Sequence, residues 1–110
     1  MEERKRRIGL NEAVFRQVNE SLQSLNEGFG TITDTMVLIC ECGDPACADQ
    51  IEMSVREYEQ VRADPALFAV TPGHETVEVE EVVRKGAGYD VVRKNAGLPS
   101  RVAEATDPRS

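Results

Sequence analysis

The sequence predicts an α+β fold, with a long N-terminal amphipathic helix beside a small, mainly antiparallel sheet that contains one short inserted helix. Three features lead to this prediction. Apolar residues recur at helical spacing over residues 8–29, short apolar runs typical of strands follow, and a helix-capping sequence separates two of these runs. With 110 residues, no Trp, three Phe and two Tyr, the chain suits one domain with a modest core. We expect residues 1–30 to form the helix with a basic lead-in, residues 31–97 to form the α+β domain, and residues 98–110 to form a flexible tail.

The N-terminal helix has a heptad-like apolar seam. Once polar Asn11 is counted, the spacings alternate between three and four residues, and the apolar members are Ile8, Phe15, Val18, Leu22, Leu25 and Phe29. The face expected in solvent consists of Glu12, Arg16, Gln17, Glu20, Gln23, Ser24 and Glu27. The seam can pack on the protein's own sheet, or it can pair residues 8–29 with a second copy in a homodimer, with Asn11 helping to set the register, and both can hold at once. Gly28 and Gly30 are expected to end the helix.

The next apolar run, Met36–Cys42, predicts a buried strand. Because side chains alternate across a strand, Cys40 and Cys42 share one face and Glu41 projects from the opposite face. The Gly-Asp-Pro-Ala sequence that follows has the composition of a tight turn, which would bring Cys47 back toward the two earlier cysteines.

A short helix is expected after the second strand. Ser54 and Glu57 have the spacing of a capping box, in which each side chain bonds the other residue's backbone N–H. The helix should end near Asp64, because Pro65 disfavours helical conformation in the residue before it. Tyr58 is expected to lie in the core.

The remaining strands alternate with turns. Those predicted are Gln50–Met53, Leu67–Val70, Val77–Arg84 and Tyr89–Lys94. Pro72 and Gly73 predict a turn that places His74 at the end of an extended segment. The last two strands should form an antiparallel hairpin, with a bulge where the alternation shifts phase at Glu80 and Glu81.

Four side chains in this pattern have the chemistry of metal ligands: Cys40, Cys42, Cys47 and the only histidine, His74. Zinc takes thiolate sulfur and imidazole nitrogen in a four-coordinate tetrahedron, and a small core gains most from such a cross-link. We therefore predict one structural zinc ion that holds the fold together. The alternatives left open are buried cysteines with a surface histidine, or copper(I); an iron–sulfur cluster would normally need a fourth thiolate.

The charge of the chain is unevenly distributed. The formal net charge is −7, yet residues 1–7 hold four basic and two acidic residues. The excess of acidic residues in the rest of the chain disfavours binding to a phosphate backbone, so nucleic acid is not an expected partner. The sequence has no secretory signal and no apolar run long enough for a membrane span, which predicts a cytoplasmic protein with reduced thiols.

Several sequence motifs together resemble a known family. They are Asn11–Glu12 with Phe15–Arg16 and Asn19–Glu20, the Cys-Glu-Cys-Gly segment from Cys40 to Cys47, Glu57–Arg62, Pro72–Glu75 and Thr106–Arg109. On these residues the chain resembles a family of small zinc-binding-type proteins of high-GC Gram-positive bacteria, and the resemblance covers most of its length. It implies that Cys40, Cys42, Cys47 and His74 belong together, and it implies no activity.

Three functions are compatible with the sequence. The first is a non-enzymatic adaptor or regulatory module that binds another protein and contains a structural zinc ion. The second is a redox switch, in which oxidation of the cysteines releases zinc. The third is a hydrolase or deaminase, but four protein ligands leave no coordination position for a catalytic water, so an enzyme is not expected. Glu41 and Glu75, which are next to ligands in the chain, are expected to lie beside the metal site or in solvent rather than to act as bases.

Overall fold

The computed structural model describes residues 2–28 and 35–109. Its fold is α+β, as predicted. The elements in chain order are α1 (Glu2–Gly28), β1 (Thr35–Ile39), β2 (Gln50–Ser54), α2 (Val55–Arg62), β3 (Leu67–Val70), β4 (Glu80–Lys85), β5 (Asp90–Lys94) and α3 (Leu98–Ala105). The predicted seam position Phe29 and the predicted helix-ending Gly30 lie outside the described residues. Within residues 2–28 and 35–109, no helix is long and apolar enough to cross a membrane.

The strands form two antiparallel sheets rather than one. β1 pairs with β2, and in the second sheet β5 lies between β3 and β4. The hairpin of β4 and β5 agrees with the prediction, but the position predicted for its bulge is wrong. The register shifts between Val82 and Arg84, whereas Glu80 pairs regularly with Lys94 as the first residue of β4.

The end of β1 connects the two sheets. The strand stops at Ile39, earlier than predicted, but the chain beyond it stays hydrogen bonded. The Cys40 N–H donates to the Asp49 carbonyl at 2.9 Å, and the Glu41 N–H donates to the Ala69 carbonyl in β3 at 2.8 Å. The backbone that carries the first two cysteines is therefore fixed from both sides.

The capping box of α2 is confirmed. The Ser54 hydroxyl accepts the Glu57 N–H at 3.0 Å, and the Glu57 carboxylate accepts the Ser54 N–H at 2.7 Å. Tyr58 is fully buried, as predicted, in the core formed by β1, β2, α2, β3 and β5.

The buried face of α1 is polar, which corrects the prediction for this helix. Its buried members recur every three or four residues and are Ile8, Glu12, Arg16, Asn19 and Gln23. Glu12, Arg16 and Gln23 were expected in solvent. They are buried because the surrounding elements supply partners: the Arg16 guanidinium, for example, donates to the Pro65 carbonyl at 2.7 Å and to the Ala103 carbonyl at 2.8 Å.

The predicted apolar seam faces the core only in part. Ile8 is buried and Leu22 packs against the core, whereas Val18 and Leu25 are exposed. The polar seam residue Asn11 makes a contact within its own chain, because its side-chain amide donates to the Gly43 carbonyl at 3.1 Å. The seam therefore packs on the protein's own fold over part of its length.

The prediction of a flexible tail is also wrong, because residues 98–105 form α3. Its buried residues are Pro99, Val102 and Ala103. α3 packs closely on α1 at Gly9, where an added Cβ would lie 2.9 Å from Val102. The helix begins after Gly97, which makes no side-chain capping hydrogen bond, so the sequence lacks the local start signal that marks α2.

Ion pairs fix the residues after α3. Arg62 pairs with Asp107, and the Arg109 guanidinium pairs with Glu20 at 2.9 Å and with Glu59 at 2.5 Å. Asp107 is thus joined to α2, and Arg109 is joined to both α1 and α2.

Candidate metal centre

The four side chains with ligand chemistry lie together. The ligand atoms of Cys40, Cys42, Cys47 and His74 are all within 4.8 Å of one another. The His74 Nδ1 lies 3.6 Å from the Cys40 Sγ and 3.7 Å from the Cys47 Sγ. This Cys3His cluster could hold a metal ion.

A tight loop brings Cys47 back to the first two cysteines. The Asp44 side chain accepts the Ala46 N–H at 2.9 Å, and the Asp44 carbonyl accepts the Cys47 N–H at 3.0 Å. α1 closes over this loop so tightly that a Cβ on Gly43 would lie 2.6 Å from the Ile8 side chain. The turn predicted from the sequence is therefore present, and its glycine is required by the close approach of the helix.

A second turn presents His74. The His74 N–H donates to the Thr71 carbonyl at 2.9 Å, and Gly73 has a φ of 89°. Pro72 followed by a glycine with positive φ is the arrangement of a type II turn, which agrees with the prediction. The same segment reaches the cluster through its backbone, since the Thr71 N–H donates to the Cys40 Sγ at 3.1 Å.

Burial makes the thiols of Cys40 and Cys42 harder to ionise. Burial raises the pKa of the Cys40 thiol, while hydrogen bonding from Thr71 opposes the increase. Burial likewise raises the pKa of the Cys42 thiol, and the backbone of Asp44 opposes it. A bound divalent cation would supply the positive charge that buried thiolates lack, because metal coordination deprotonates a thiol.

The Asp49 carboxylate lies beside the outer edge of the imidazole. It lies 3.5 Å from the His74 Nε2, on the side of the ring opposite to the sulfur atoms. A metal-binding histidine commonly directs its other ring nitrogen to a carboxylate, which fixes the tautomer. Nothing in the local sequence pointed to Asp49, whose position depends on the bond between its backbone and Cys40.

The two glutamates beside the ligands differ in position. Glu75 is half-buried, whereas Glu41 is fully buried, so a position in solvent is wrong for Glu41. The Glu41 carboxylate accepts hydrogen bonds from the Asn19 amide at 2.8 Å, the Tyr58 hydroxyl at 2.9 Å and the Ala69 N–H at 3.0 Å. Burial raises the pKa of Glu41, and these donors oppose the increase. Glu41 therefore fastens the cysteine segment to α1, α2 and β3.

Asn19 is a residue that the sequence prediction missed. Its side-chain amide donates to the Ile39 carbonyl at 2.7 Å and accepts the Ile39 N–H at 2.8 Å. The Asn19 amide thus makes the two hydrogen bonds with Ile39 that a neighbouring strand would otherwise make, directly before the Cys3His cluster. The spacing of Asn19 on α1, one turn from Arg16 and Gln23, is the only signal that could have suggested burial.

The fold and the cluster together define a small α+β protein with a Cys3His group that could hold one metal ion. A cleft of about 220 Å³ opens beside this group and is lined by Cys42, Gly43, Asp44, His74 and Thr76. Comparison of the chain with protein-family models, curated proteins and solved structures finds no match.

Proposed function

We propose that this chain is a non-enzymatic adaptor or regulatory module whose fold is held by one zinc ion bound to Cys40, Cys42, Cys47 and His74. One observation supports the proposal above all others: four donor atoms of the types zinc prefers converge within 4.8 Å. Three thiolates with one imidazole favour zinc over the hard cations, which prefer oxygen ligands. Reduced thiols also fit the proposed cytoplasmic location.

The donor set supports a structural role for the metal. Four protein donors would complete a zinc tetrahedron and leave no position for a catalytic water. The donors come from the end of β1, from the loop before β2 and from the turn after β3, so an ion would link three separate segments. The proposed activity is therefore contact with another protein, made by a surface that the metal keeps folded.

Elemental analysis of the purified protein beside His74→Ala tests the metal site. We expect one zinc per wild-type chain and weakened or lost zinc in His74→Ala, because the variant lacks one of four donors. Asp49→Asn serves as a graded control: it should retain zinc but bind it at least ~10-fold more weakly, since only the orienting carboxylate is removed.

The other outcomes contradict the proposal in different ways. Absence of zinc from the wild-type protein would contradict the metal site. Equal zinc in wild-type protein and His74→Ala would exclude the histidine as a ligand and restore the enzyme hypothesis. The adaptor role is tested with the same two proteins as bait in cell extract, where a partner protein should be retained by the wild-type chain and lost with His74→Ala.

A second candidate function is a redox switch, which the exposure of one thiol favours. Cys47 is half-exposed, whereas Cys40 and Cys42 are buried. In the switch, the Cys42 and Cys47 thiolates give two electrons to one hydrogen peroxide molecule, which takes up two protons and leaves as two water molecules. The resulting disulfide no longer holds zinc. Dilute peroxide should then release zinc, and dithiothreitol should allow it to rebind; retention of zinc under peroxide by the folded protein would contradict the switch.

A further inference from the structure

The outer edge of β2 presents backbone groups that no other strand pairs. The Cys40 N–H donates to the Asp49 carbonyl at 2.9 Å and continues the β1–β2 register, so hydrogen-bonded and non-hydrogen-bonded pairs alternate from there along the ladder. Gln50 and Glu52 fall in non-hydrogen-bonded pairs, and their N–H and C=O groups therefore point away from β1. Ser54 belongs to the same series, and its N–H donates to the capping side chain of α2 rather than to β1. Among the described residues, nothing bonds the outward groups of Gln50 and Glu52.

The other edges of the two sheets are closed or irregular. At the edge of β1, the Asn19 amide bonds both backbone groups of Ile39. At the edge of β3, the Ala69 carbonyl accepts the Glu41 N–H, and the Ala69 N–H donates to the Glu41 carboxylate at 3.0 Å. The register of β4 shifts within the strand, and such a bulge makes an edge unsuitable for further pairing. In the part of the chain that the structure describes, β2 therefore has the regular edge that stays open.

A cleft of about 350 Å³ lies along this edge, between β2 and the loop that joins β4 to β5. It is lined by Val37, Gln50, Ile51, Glu52, Ala87 and Gly88. Three successive residues of β2 line the cleft although their side chains alternate between the two faces, so the cleft follows the edge of the strand. An extended peptide presents N–H and C=O groups at the same two-residue repeat as Gln50 and Glu52, and it can therefore bond both residues.

The charged side chain of the cleft is Glu52. It is exposed, and within the described residues its carboxylate makes no ion pair or hydrogen bond. A basic residue on an added strand would lie directly opposite Glu52, where a pair of opposite charges stabilises a sheet. A second copy of this chain, with its net charge of −7, would instead bring another Glu52 into the same cleft. The charge thus favours a basic segment of a different protein.

We propose that the β2 edge binds an extended, basic segment of another protein, which adds a third strand to the β1–β2 sheet. This inference rests on the proposed adaptor function and specifies the surface and the chemistry of its partner. Main-chain hydrogen bonds to Gln50 and Glu52 provide affinity, and the Glu52 carboxylate selects the basic residue. The proposed metal site supports the edge, because Cys40 bonds the backbone of Asp49 directly before β2.

Selection from a phage-displayed library of short random peptides against the zinc-loaded protein tests the edge. We expect the enriched peptides to contain a basic residue and to bind Glu52→Pro at least ~10-fold more weakly, since a backbone hydrogen bond and a charge pair are lost. Proline is tolerated here because the N–H of Glu52 points away from β1, so no ladder bond is removed. Glu52→Thr is the matched control: it keeps the N–H, so it should retain main-chain binding and lose the preference for basic peptides.

Hydrogen exchange of the wild-type protein gives a readout that does not depend on how well a variant folds. The amides of Gln50 and Glu52 should exchange more slowly when an enriched peptide is bound, because they become hydrogen bonded. Circular dichroism and zinc content show whether Glu52→Pro is folded.

Three outcomes would overturn the proposal. The first is a library that yields no binder, or binders that folded Glu52→Pro retains without slowed exchange at the β2 edge. The second is a dimer in sedimentation equilibrium that Glu52→Pro abolishes, because a second copy would then occupy the edge. The third is a partner protein from cell extract that wild-type protein and Glu52→Pro retain equally; this result would leave the adaptor function intact and place the contact on a different surface.

Discussion

Removal of the metal is expected to unfold the zinc-loaded protein. The proposed ion joins three chain segments in a domain with a modest core, and structural zinc can contribute on the order of 10 kcal/mol of apparent folding free energy. That value is comparable to the whole free energy of unfolding of an ordinary domain, about 5–15 kcal/mol. A strong chelator should therefore abolish the cooperative thermal transition followed by circular dichroism, and added zinc should restore it.

The His74→Ala variant is the control for the chelation experiment. If it lacks zinc, it should resemble the chelated wild-type protein, and chelator should change it no further. An unchanged spectrum and melting temperature after complete removal of zinc from the wild-type protein would contradict the structural role of the metal. It would also mean that the buried ion-pair and hydrogen-bond networks hold the cysteine segment without help.

The second large effect is expected at Lys94, whose ammonium group is buried between two carboxylates. Lys94 pairs with Glu12 of α1, and with Glu80 of β4 at 2.7 Å, and all three side chains are almost fully buried. The Lys94→Met variant would leave Glu80, and Glu12 wherever it is ionised, buried without a cation. Loss of one partner from a buried ion pair typically costs about 3–5 kcal/mol, and denaturant unfolding at neutral pH should show a loss of this size.

Lys85→Met provides the matched control for this measurement. Lys85 ends β4 in an exposed position, so its replacement should change the free energy of unfolding by no more than about 0.5 kcal/mol. If Lys94→Met were as stable as Lys85→Met, the buried cluster would not have the importance assigned to it.

Glu12 makes the same cluster sensitive to pH. Burial raises the pKa of Glu12 well above its ordinary value of 4.5, and the neighbouring Glu80 adds to the increase while Lys94 opposes it. At pH values between the ordinary pKa and the raised one, the folded protein thus keeps a proton on Glu12 that the unfolded chain has already lost. The stability from this proton is full below the ordinary pKa and is lost as the pH rises through the folded-state pKa. Glu12→Gln is neutral at every pH, so its free energy of unfolding should decrease less than that of the wild-type protein as the pH is raised.

The elements with strong local signals could be predicted from the sequence. Ser54 and Glu57 specify the start of α2 by mutual backbone bonds, and Pro72 with Gly73 specifies the turn before His74. Both signals depend on residues a few positions apart, so the hydrogen bonds and backbone preferences that produce them lie within a short segment. The ligand set could be proposed for a different reason: the chain has only three cysteines and one histidine.

The burial of α1 could not be predicted in this way. One side of α1 consists of polar residues, and hydrophobic periodicity alone predicts that such a side faces solvent. Its members are Glu12, Arg16, Asn19 and Gln23. These side chains are buried because partners distant in sequence satisfy them: carbonyls near Pro65 and Ala103 for Arg16, and Lys94 for Glu12. α3 was missed for two reasons: Gly97 before it provides no side-chain cap, and its packing partner Gly9 is distant in the sequence.

The sequence by itself determined the fold class, the α2 cap, the turn before His74 and the set of residues that could bind a metal. Only the tertiary structure decided which side of α1 faces the core, that Asp49 lies beside His74, that Glu41 is buried, and that residues 98–105 form a packed helix. The physical reason is that a cap or a turn is stabilised by near neighbours, whereas a buried charge is stabilised only by groups that the complete fold brings to it.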